Sequence, residues 1–325
     1  MQVNHKLGVR GDVLLCKRIN GKDIPILPEF KNLILDAFIN AVHAGNMNTL
    51  YRSSVNTAGI GASFRVGAGS TAPDVTDTAL VSPLLLTANC SINSSDATYD
   101  AVNDNFIMTQ VTRGEFSAAA AEYNLSELAV YTNDIGTNAG NYPILSRTLI
   151  KDGLGAPTTL TLAVGEILVI YYTFTCVIPR TVMAVKDIDG TPTTITMTYH
   201  ASSTSGLSEY PFNVRKGILG ALSAHMSARY SDFTPPAPFT PFSTSGWNNL
   251  INAISSRTPL GVGVGLKQRD RINLNFSNSP TVFGSFFPTS YGGIDRGWVF
   301  HYNPSFEKTD QFVIDIESLT TIARL

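Results

Sequence analysis

Residues 166–178, EILVIYYTFTCVI, belong to the longest apolar stretch of the chain and restrict its fold more than any other segment. Every second residue from Leu168 to Ile178 is apolar, whereas the other alternation includes Thr173 and Thr175. A period of two is typical of a β-strand, and the unequal faces predict a long strand buried mainly on one side. A membrane span needs about 18 apolar residues, so we expect no membrane insertion.

Other strand patterns follow at short intervals, separated by turn signals such as Asn20-Gly21 and Asp152-Gly153. In the first half they cover residues 9–19, 62–66, 106–116, 125–132, 144–150 and 158–162. This series predicts a mainly β fold, with an antiparallel β-sandwich over residues 1–180. A second β-rich region is expected over residues 181–325, with strand patterns at 193–200, 271–276, 298–302 and 312–316.

The segment PEFKNLILDAFINAVHAG interrupts the strand patterns with the spacing of a helix. The apolar residues that share one face at this spacing are Phe30, Leu33, Ile34, Ala37, Ala41 and Val42. Pro28 suits the first turn and Gly45 suits the end. We predict one amphipathic helix at residues 30–44, packed on the sandwich as part of its core. A short second helix is predicted for GWNNLINAISS, residues 246–256.

A strap rich in proline and phenylalanine, SDFTPPAPFTPFSTSGW, covers residues 231–247. Proline lacks a backbone donor, so the strap cannot pair as a central strand and should be extended. Exposed phenylalanines would promote aggregation, so either the strap's own domain or a neighbouring subunit must cover them. The strap is therefore the candidate subunit interface, and its residues are Phe233, Pro235, Pro236, Phe239 and Phe242.

The chain carries few charges, and they are nearly balanced. Charged residues make up 15% of the 325 residues, and the formal net charge is −2. With no basic run to follow a phosphate backbone, we expect no nucleic-acid partner. Such a surface suits a protein largely covered by partners, and equally an ordinary neutral soluble protein. The N-terminal segment has no apolar core or cleavage site, so we expect no secretory signal and synthesis in a cytoplasm.

Cysteine and histidine spacing gives no sign of a disulfide framework or a metal site. The three cysteines, Cys16, Cys90 and Cys176, are far apart, and we expect buried free thiols. No two of the five histidines have metal-ligand spacing on one element.

Neither glycine-rich segment has the residues of a nucleotide-binding loop. GAGSTAP at residues 67–73 lacks the lysine of a P-loop, and PLGVGVGLK at residues 259–267 does not open a helix. The carboxylates at strand junctions and turns are Glu115, Glu122, Glu127, Asp187 and Asp189. A glycan-cleaving pair among them stays open, because its separation is spatial. The sequence otherwise predicts no catalytic, metal or cofactor-binding residues, and therefore not an enzyme.

Five blocks occur in a fixed order between residues 28 and 178: PEFKNLILDAFINAV, FRVGAGSTAPDVTDTAL, NLSELAVYT, ILSRTLIKDGLGAPTTLTL and EILVIYYTF. In this order they resemble virion proteins of tailed bacteriophages, usually described as tail or tail-fibre components. The resemblance implies a β-rich assembly protein with no catalytic residues to carry over. It also implies that the glycine-rich stretch is a structural connector, with Pro73 fixing its exit.

The resemblance implies a structural virion protein, made in the host cytoplasm. The expected place is the tail or neck, as a tail-fibre base, collar or tail-surround protein. It would act by homo-oligomerisation and by docking to other virion proteins. Alternatives are a capsid decoration protein, a receptor-binding protein that contacts a host-surface glycan through loop aromatics such as Trp247, Tyr291 and Trp298, and a glycan depolymerase. A depolymerase often has the fixed-period repeat of a β-helix, which the sequence lacks.

Overall fold

A computed structural model describes residues 2–43, 62–132, 144–188, 190–201, 226–229, 237–240, 248–250, 253–260, 266–272, 282–288, 294–304 and 314–325. One helix, α1, spans Asp36–His43. In chain order the strands are β1 Gln2–Ile19, β2 Lys22–Pro25, β3 Phe30–Ile34, β4 Ala62–Gly67, β5 Pro83–Asp100, β6 Asn105–Glu115, β7 Tyr123–Leu125, β8 Glu127–Thr132, β9 Ile144–Leu149, β10 Leu160–Leu162, β11 Leu168–Pro179, β12 Thr181–Ile188, β13 Thr191–Ala201, β14 Met226–Arg229, β15 Asn248–Leu250, β16 Ala253–Pro259, β17 Leu266–Ile272, β18 Val282–Pro288, β19 Ile294–Asn303 and β20 Ile314–Arg324.

Eight strands of the first half close into a barrel in the order β1-β11-β6-β5-β4-β8-β9-β3, and β3 returns to β1. Every neighbouring pair in this ring is antiparallel. The predicted mainly β, antiparallel class is confirmed. The closed ring is not clearly the predicted sandwich, because its strands are not split into two separate sheets. Alternation alone could not separate the two, since both architectures bury every second side chain.

The apolar alternation of β11 lines the barrel interior. Its six side chains from Leu168 to Ile178 are each at most 2% exposed, as the sequence predicted. The register places Tyr172 between Val13 of β1 and Thr112 of β6, so all three strands point the same alternation inward. Interior packing of this kind supplies most of the apolar burial that stabilises the barrel.

The predicted helix at residues 30–44 is wrong in its first part. Phe30–Ile34 is strand β3, with Phe30, Asn32 and Ile34 buried and Lys31 exposed. Apolar residues at positions 30, 33 and 34 fit a helix locally, but tertiary pairing overrides that preference. Because β3 joins β1 to β9, it closes the barrel. The helix begins at Asp36, and its Phe38 packs on Phe174 of the barrel with ring centroids 5.4 Å apart.

The two ends of the barrel differ. At the loop end, where β1 stops at Ile19, the connections are residues 20–29, 68–82, 116–126 and 150–167. There a small sheet of β7 and β10 adds Leu125 and Leu162 to the core. We call the opposite end of the barrel the sheet end, and Arg180 follows β11 there. The Arg180 carbonyl accepts a hydrogen bond from the Tyr199 amide at 2.7 Å. The second half of the chain is therefore attached at the sheet end.

The second half contains a six-stranded sheet in the order β12-β13-β19-β18-β14-β15. Its pairings are antiparallel. The short helix predicted at residues 246–256 is wrong, because 248–250 lie in β15 and 253–256 lie in β16. Helical spacing over so short a segment is outweighed by pairing with β14 and β17.

The last strand returns to the barrel instead of staying with the six-stranded sheet. β20 pairs in parallel with the first half of β1 and antiparallel with β17. The Leu325 amide donates to the Val9 carbonyl at 2.9 Å. Arg324 donates to the Ile34 carbonyl at 2.5 Å and to the Asp36 carboxylate. Residues from both sides of the boundary expected at 180 thus share one sheet.

Candidate functional site

The glycine-rich stretch belongs to a connector, residues 68–82, that leaves β4 and returns to β5. The two ends of the connector meet, because the Ala68 amide donates to the Ser82 carbonyl at 2.9 Å. Further along, the Val75 carbonyl accepts from the Asp36 amide at 2.8 Å. The connector therefore runs along the outer wall from the loop end to the start of α1 and back, as a compact Ω-type loop does.

The backbone amides of the connector bind a protein carboxylate. Glu127, the first residue of β8, is fully buried. Its Oε1 accepts from the Ser82 amide at 2.7 Å and the Gly69 amide at 3.2 Å, and its Oε2 accepts from the Val81 amide at 3.1 Å. This arrangement resembles an anion-binding loop whose anion is part of the same chain.

Glu127 also explains why glycine occupies two positions beside it. A Cβ atom added at Gly67 or at Gly69 would lie 2.5 Å from the Glu127 Oε1 atom. Real Cβ atoms do not come this close, so a side chain at either position would displace the carboxylate. The two glycines therefore allow the backbone to approach Glu127 closely.

Arg147 of β9 completes a buried arginine cluster with Glu127 and Asp77. Its Nε and Nη2 donate to Glu127 Oε2 at 3.0 and 2.8 Å, a charge-assisted pair. Its Nη1 donates to Asp77 Oδ2 at 2.6 Å, and Nη2 also donates to the Thr71 carbonyl at 2.8 Å. Burial disfavours the guanidinium charge, but the hydrogen bonds to Asp77 and Glu127 outweigh it and raise the pKa of Arg147.

The cluster lies on the outer wall of the barrel and is buried only because the connector covers it. Inward positions on β8 are Leu128 and Val130, so Glu127 points outward, and Arg147 shares that face through its pairing with Ala129. A small apolar cluster lies on the same face, formed by Leu35, Leu80, Ala129, Tyr131 and Ile144. The Leu80 amide also donates to the Tyr131 hydroxyl at 3.2 Å. Ions and apolar contacts together fasten the connector.

The far part of the connector is a tight acidic turn. The Asp77 amide donates to the Asp74 carbonyl at 3.1 Å, and the Asp74 amide donates to Asp77 Oδ2 at 2.9 Å. The hydroxyl and the amide of Thr76 donate to the Asp74 carboxylate and lower the pKa of Asp74. The turn holds Asp77 where it meets Arg147, so its acidic groups serve local structure.

A second group of charges, the surface arginine cluster, lies on the outer face of β1, β2, β6 and β11. Its members are Arg18, Asp23, Arg113, Glu115 and Tyr171. Asp23 Oδ2 accepts from Arg113 Nε at 2.9 Å and from the Tyr171 hydroxyl at 2.7 Å. Glu115 accepts from Arg113 Nη2 at 2.8 Å and from Arg18.

Both carboxylates of the surface arginine cluster are held ionised. Burial opposes the charge of Asp23, but the hydrogen bonds from Tyr171 and Arg113 outweigh it and lower the pKa of Asp23. The hydrogen bond from Arg113 is the largest effect on Glu115 and lowers its pKa. Carboxyl groups with a lowered pKa are ionised and accept hydrogen bonds at neutral pH, so they do not suit the role of a general acid.

The other carboxylates considered from the sequence have separate positions. Asp187 accepts from the Gly190 amide at 2.7 Å across the β12–β13 turn, as its turn signal predicted. Glu122 is exposed in the 116–126 connection. Asp189 lies outside the described residues.

One ring of the strap packs within its own chain. Phe239 lies 5.3 Å from Phe106, centroid to centroid, and its amide donates to the Ala201 carbonyl at 2.9 Å. Phe239 is half-buried, so part of the ring faces outward. The other candidate interface residues, Phe233, Pro235, Pro236 and Phe242, lie outside the described residues. The strap as a subunit interface therefore stays a prediction.

The three cysteines are buried free thiols, as predicted. His200 is buried in β13, and burial lowers its pKa to about 4. Within the described residues, no group of three His, Cys, Asp or Glu side chains has the geometry of a metal site. No helix in the described part of the chain is long and apolar enough to cross a membrane.

The comparisons with known proteins give no relative. Neither protein-family models, nor curated proteins, nor solved structures match this chain.

Proposed function

We propose that the protein is a structural component of a tailed-phage virion, associated with the tail or neck, that works by self-association and by docking to other virion proteins. The expectation comes from the five ordered sequence blocks that resemble such proteins. One structural observation supports it most. Three of the blocks meet in the buried arginine cluster, because Asp77, Glu127 and Arg147 come from the second, third and fourth blocks.

This convergence gives the resemblance a physical meaning. In the proposal, the blocks occur together because their residues, although far apart in sequence, fasten one connector to one barrel wall. A motif of this kind specifies architecture and leaves its charged groups fully engaged with each other. In the proposal, the protein therefore contributes a rigid β framework to a particle and performs no chemistry of its own.

The loop end of the barrel supplies surface for docking. Exposed apolar side chains in or beside its connections are Ile19, Ile24, Val81, Leu85, Leu154 and Val164. Leu85 and Leu154 are almost fully exposed, at 105% and 95% of their reference areas. Contiguous exposed apolar surface is typical of protein contact sites, and these side chains all belong to one end of the barrel. The described strands of the second half attach at the sheet end, so in the proposal a neighbouring protein approaches the loop end.

The deciding experiment is to purify particles of the encoding phage on a density gradient and measure this chain by quantitative mass spectrometry. We expect it in the particle band at a constant copy number per particle. If the chain stays in the soluble fraction while other virion proteins sediment, the proposal is wrong.

A paired variant tests the loop end within the same experiment. Leu154→Ser with Val164→Ser should reduce incorporation while the melting temperature of the purified protein is unchanged. Met183→Ser with Val185→Ser, at exposed apolar positions on β12, is the matched control. Equal incorporation of both variants would exclude the loop end as the docking surface.

The enzyme alternative has its own test. Purified protein is incubated with host surface polysaccharide, and chain length is followed by size-exclusion chromatography. We expect no shortening. Reproducible cleavage would replace the structural proposal with a depolymerase.

A further inference from the structure

Four buried polar side chains occupy inward positions of the barrel and are called here the polar band: Asn32, Gln110, Thr112 and Ser146. Gln110, Phe174, Gly11 and Asn32 lie side by side on four adjacent strands, according to the register of β6, β11, β1 and β3. Side chains at inward positions fill the interior of an eight-stranded barrel. Gln110 is 2% exposed and Asn32 is 8% exposed, so two amide side chains are enclosed there.

Part of this band is satisfied by protein groups. The Asn32 Nδ2 donates to the Ser146 hydroxyl at 3.0 Å. Ser146 also hydrogen-bonds the side chain of Tyr172, whose hydroxyl lies directly over Gly11. A side chain at Gly11 would clash with that hydroxyl, so glycine makes room for a tyrosine in the barrel centre.

The remaining polar atoms of the band have no partner within the described part of the chain. They are Asn32 Oδ1, Gln110 Oε1, Gln110 Nε2 and Thr112 Oγ1. A buried polar group without a hydrogen bond destabilises the folded state, because it loses its interaction with water and gains nothing in return. Three side chains with this defect on two strands of one interior are unusual for a stable fold.

The barrel wall beside Gln110 and Thr112 is irregular. On β5, the neighbours of Thr112 and Gln110 are Ile92 and Ser95, and the register slips between Ile92 and Ser94. Ile92 and Ser95 are exposed and do not fill the interior. All residues of β5 from 91 to 96 are exposed in the same way. A β-bulge bends its strand and redirects side chains in this manner.

We propose that the barrel encloses ordered water bound by Asn32, Gln110 and Thr112. The three side chains offer two carbonyl acceptors, one amide donor and one hydroxyl that can do either. Water both donates and accepts, and a buried water typically makes two to four hydrogen bonds to groups otherwise unsatisfied. The inward groups of this band carry no formal charge, which favours a neutral occupant over an ion.

Two measurements test the site. The first is a crystal structure at a resolution that shows ordered solvent, in wild type and in Gln110→Met. We expect a single-atom density peak within hydrogen-bonding distance of Gln110 and Thr112, weakened or lost in the variant. A protein group bonded to Gln110, a larger bound molecule, or no peak would overturn the proposal.

The second measurement is the direction of the melting-temperature shift. An unsatisfied amide replaced by Met should leave stability equal or higher, whereas an amide bonded to water should lose hydrogen bonds and lower the melting temperature. We expect Gln110→Met and Thr112→Val to lower it. Thr173→Val, a half-buried hydroxyl on the outer face of the neighbouring strand, is the control and should not. A rise in melting temperature for both interior variants would refute bound water.

Discussion

The barrel carries two arginine clusters that use the same residue types in different surroundings. In the buried arginine cluster, Arg147 and Glu127 are fully shielded from solvent. In the surface arginine cluster, Arg113 and Glu115 keep 22% and 35% of their side chains exposed. Contact with water determines how much each cluster contributes to the free energy of unfolding. Ions that remain hydrated gain little from pairing, whereas buried ions depend wholly on their partners. The two clusters have similar hydrogen-bond distances, but we expect very different contributions to the free energy of unfolding.

The largest effect is expected at the buried arginine cluster. Arg147→Met leaves the carboxylate of Glu127 buried without its cation, and Asp77 loses its partner. We expect a loss of about 3–5 kcal/mol in the free energy of unfolding, measured by urea denaturation. Adding Glu127→Leu to this variant removes the stranded charge and should restore part of the loss. A double variant less stable than the sum of the two single variants would contradict this account.

The close approach of the connector to Glu127 gives the next effect. Gly69→Ala places a Cβ atom 2.5 Å from the carboxylate and 2.8 Å from the Val81 Cβ, so the connector must shift. We expect a loss of about 1–3 kcal/mol, as for overpacking. Gly153→Ala is the control, because its nearest neighbour would be the Pro28 Cγ at 3.6 Å. Equal unfolding midpoints for the two alanine variants would show that the connector adapts freely.

The surface arginine cluster should respond much less. Arg113→Met removes contacts to Asp23, Glu115 and Tyr171, but Asp23 keeps the hydrogen bond from Tyr171 and Glu115 keeps the hydrogen bond from Arg18. We expect about 0–1 kcal/mol, and a difference from wild type that shrinks when salt is added. A loss as large as that of Arg147→Met would mean that exposure does not distinguish the clusters.

The smallest effect is a dependence on pH. The folded state lowers the pKa values of Asp23 and Glu115. Their contribution is therefore present above the pKa of the unfolded chain and is lost as the pH falls through the lowered folded-state values. Asp23→Asn with Glu115→Gln should flatten the decline of melting temperature in acid. An unchanged acid slope would show that these carboxylates do not set it.

Alternation is a local property, so it identified strands such as β6, β8 and β11 from the sequence. It missed the long strand β5, in which residues 91–96 are all exposed and show no alternation of buried and exposed positions. The face of β11 from Leu168 to Ile178 could be assigned from every second residue. Closure of the barrel could not, because it depends on β3 pairing with β9, more than a hundred residues away. The pattern at Phe30–Ile34 fits either a helix or a strand, and only that distant partner decides it.

The sequence identified some residues of the candidate site but not the contacts between them. The glycine-rich connector was recognised as structural from the blocks around it, but its carboxylate partner, Glu127, was assigned only to a strand junction. A signal existed, since Glu127 and Arg147 are the single charged residues of the strands ELAVYT and ILSRTL. A charge in such a place requires an opposite charge. Sequence spacing cannot identify which opposite charge is the partner, since the paired residues Glu127 and Arg147 are 20 residues apart.

The order of strands in the ring also affects how the protein is made. β1 is synthesised first, but one of its barrel partners, β11, ends at Pro179. At translation rates of about 5–20 residues per second, that edge of β1 waits for roughly 10–30 s before its partner exists. During this interval an apolar strand stands open to pairing with other nascent chains. Slower elongation would prolong this exposure, so the yield of soluble protein should depend on the rate of synthesis as well as on the stability of the finished barrel.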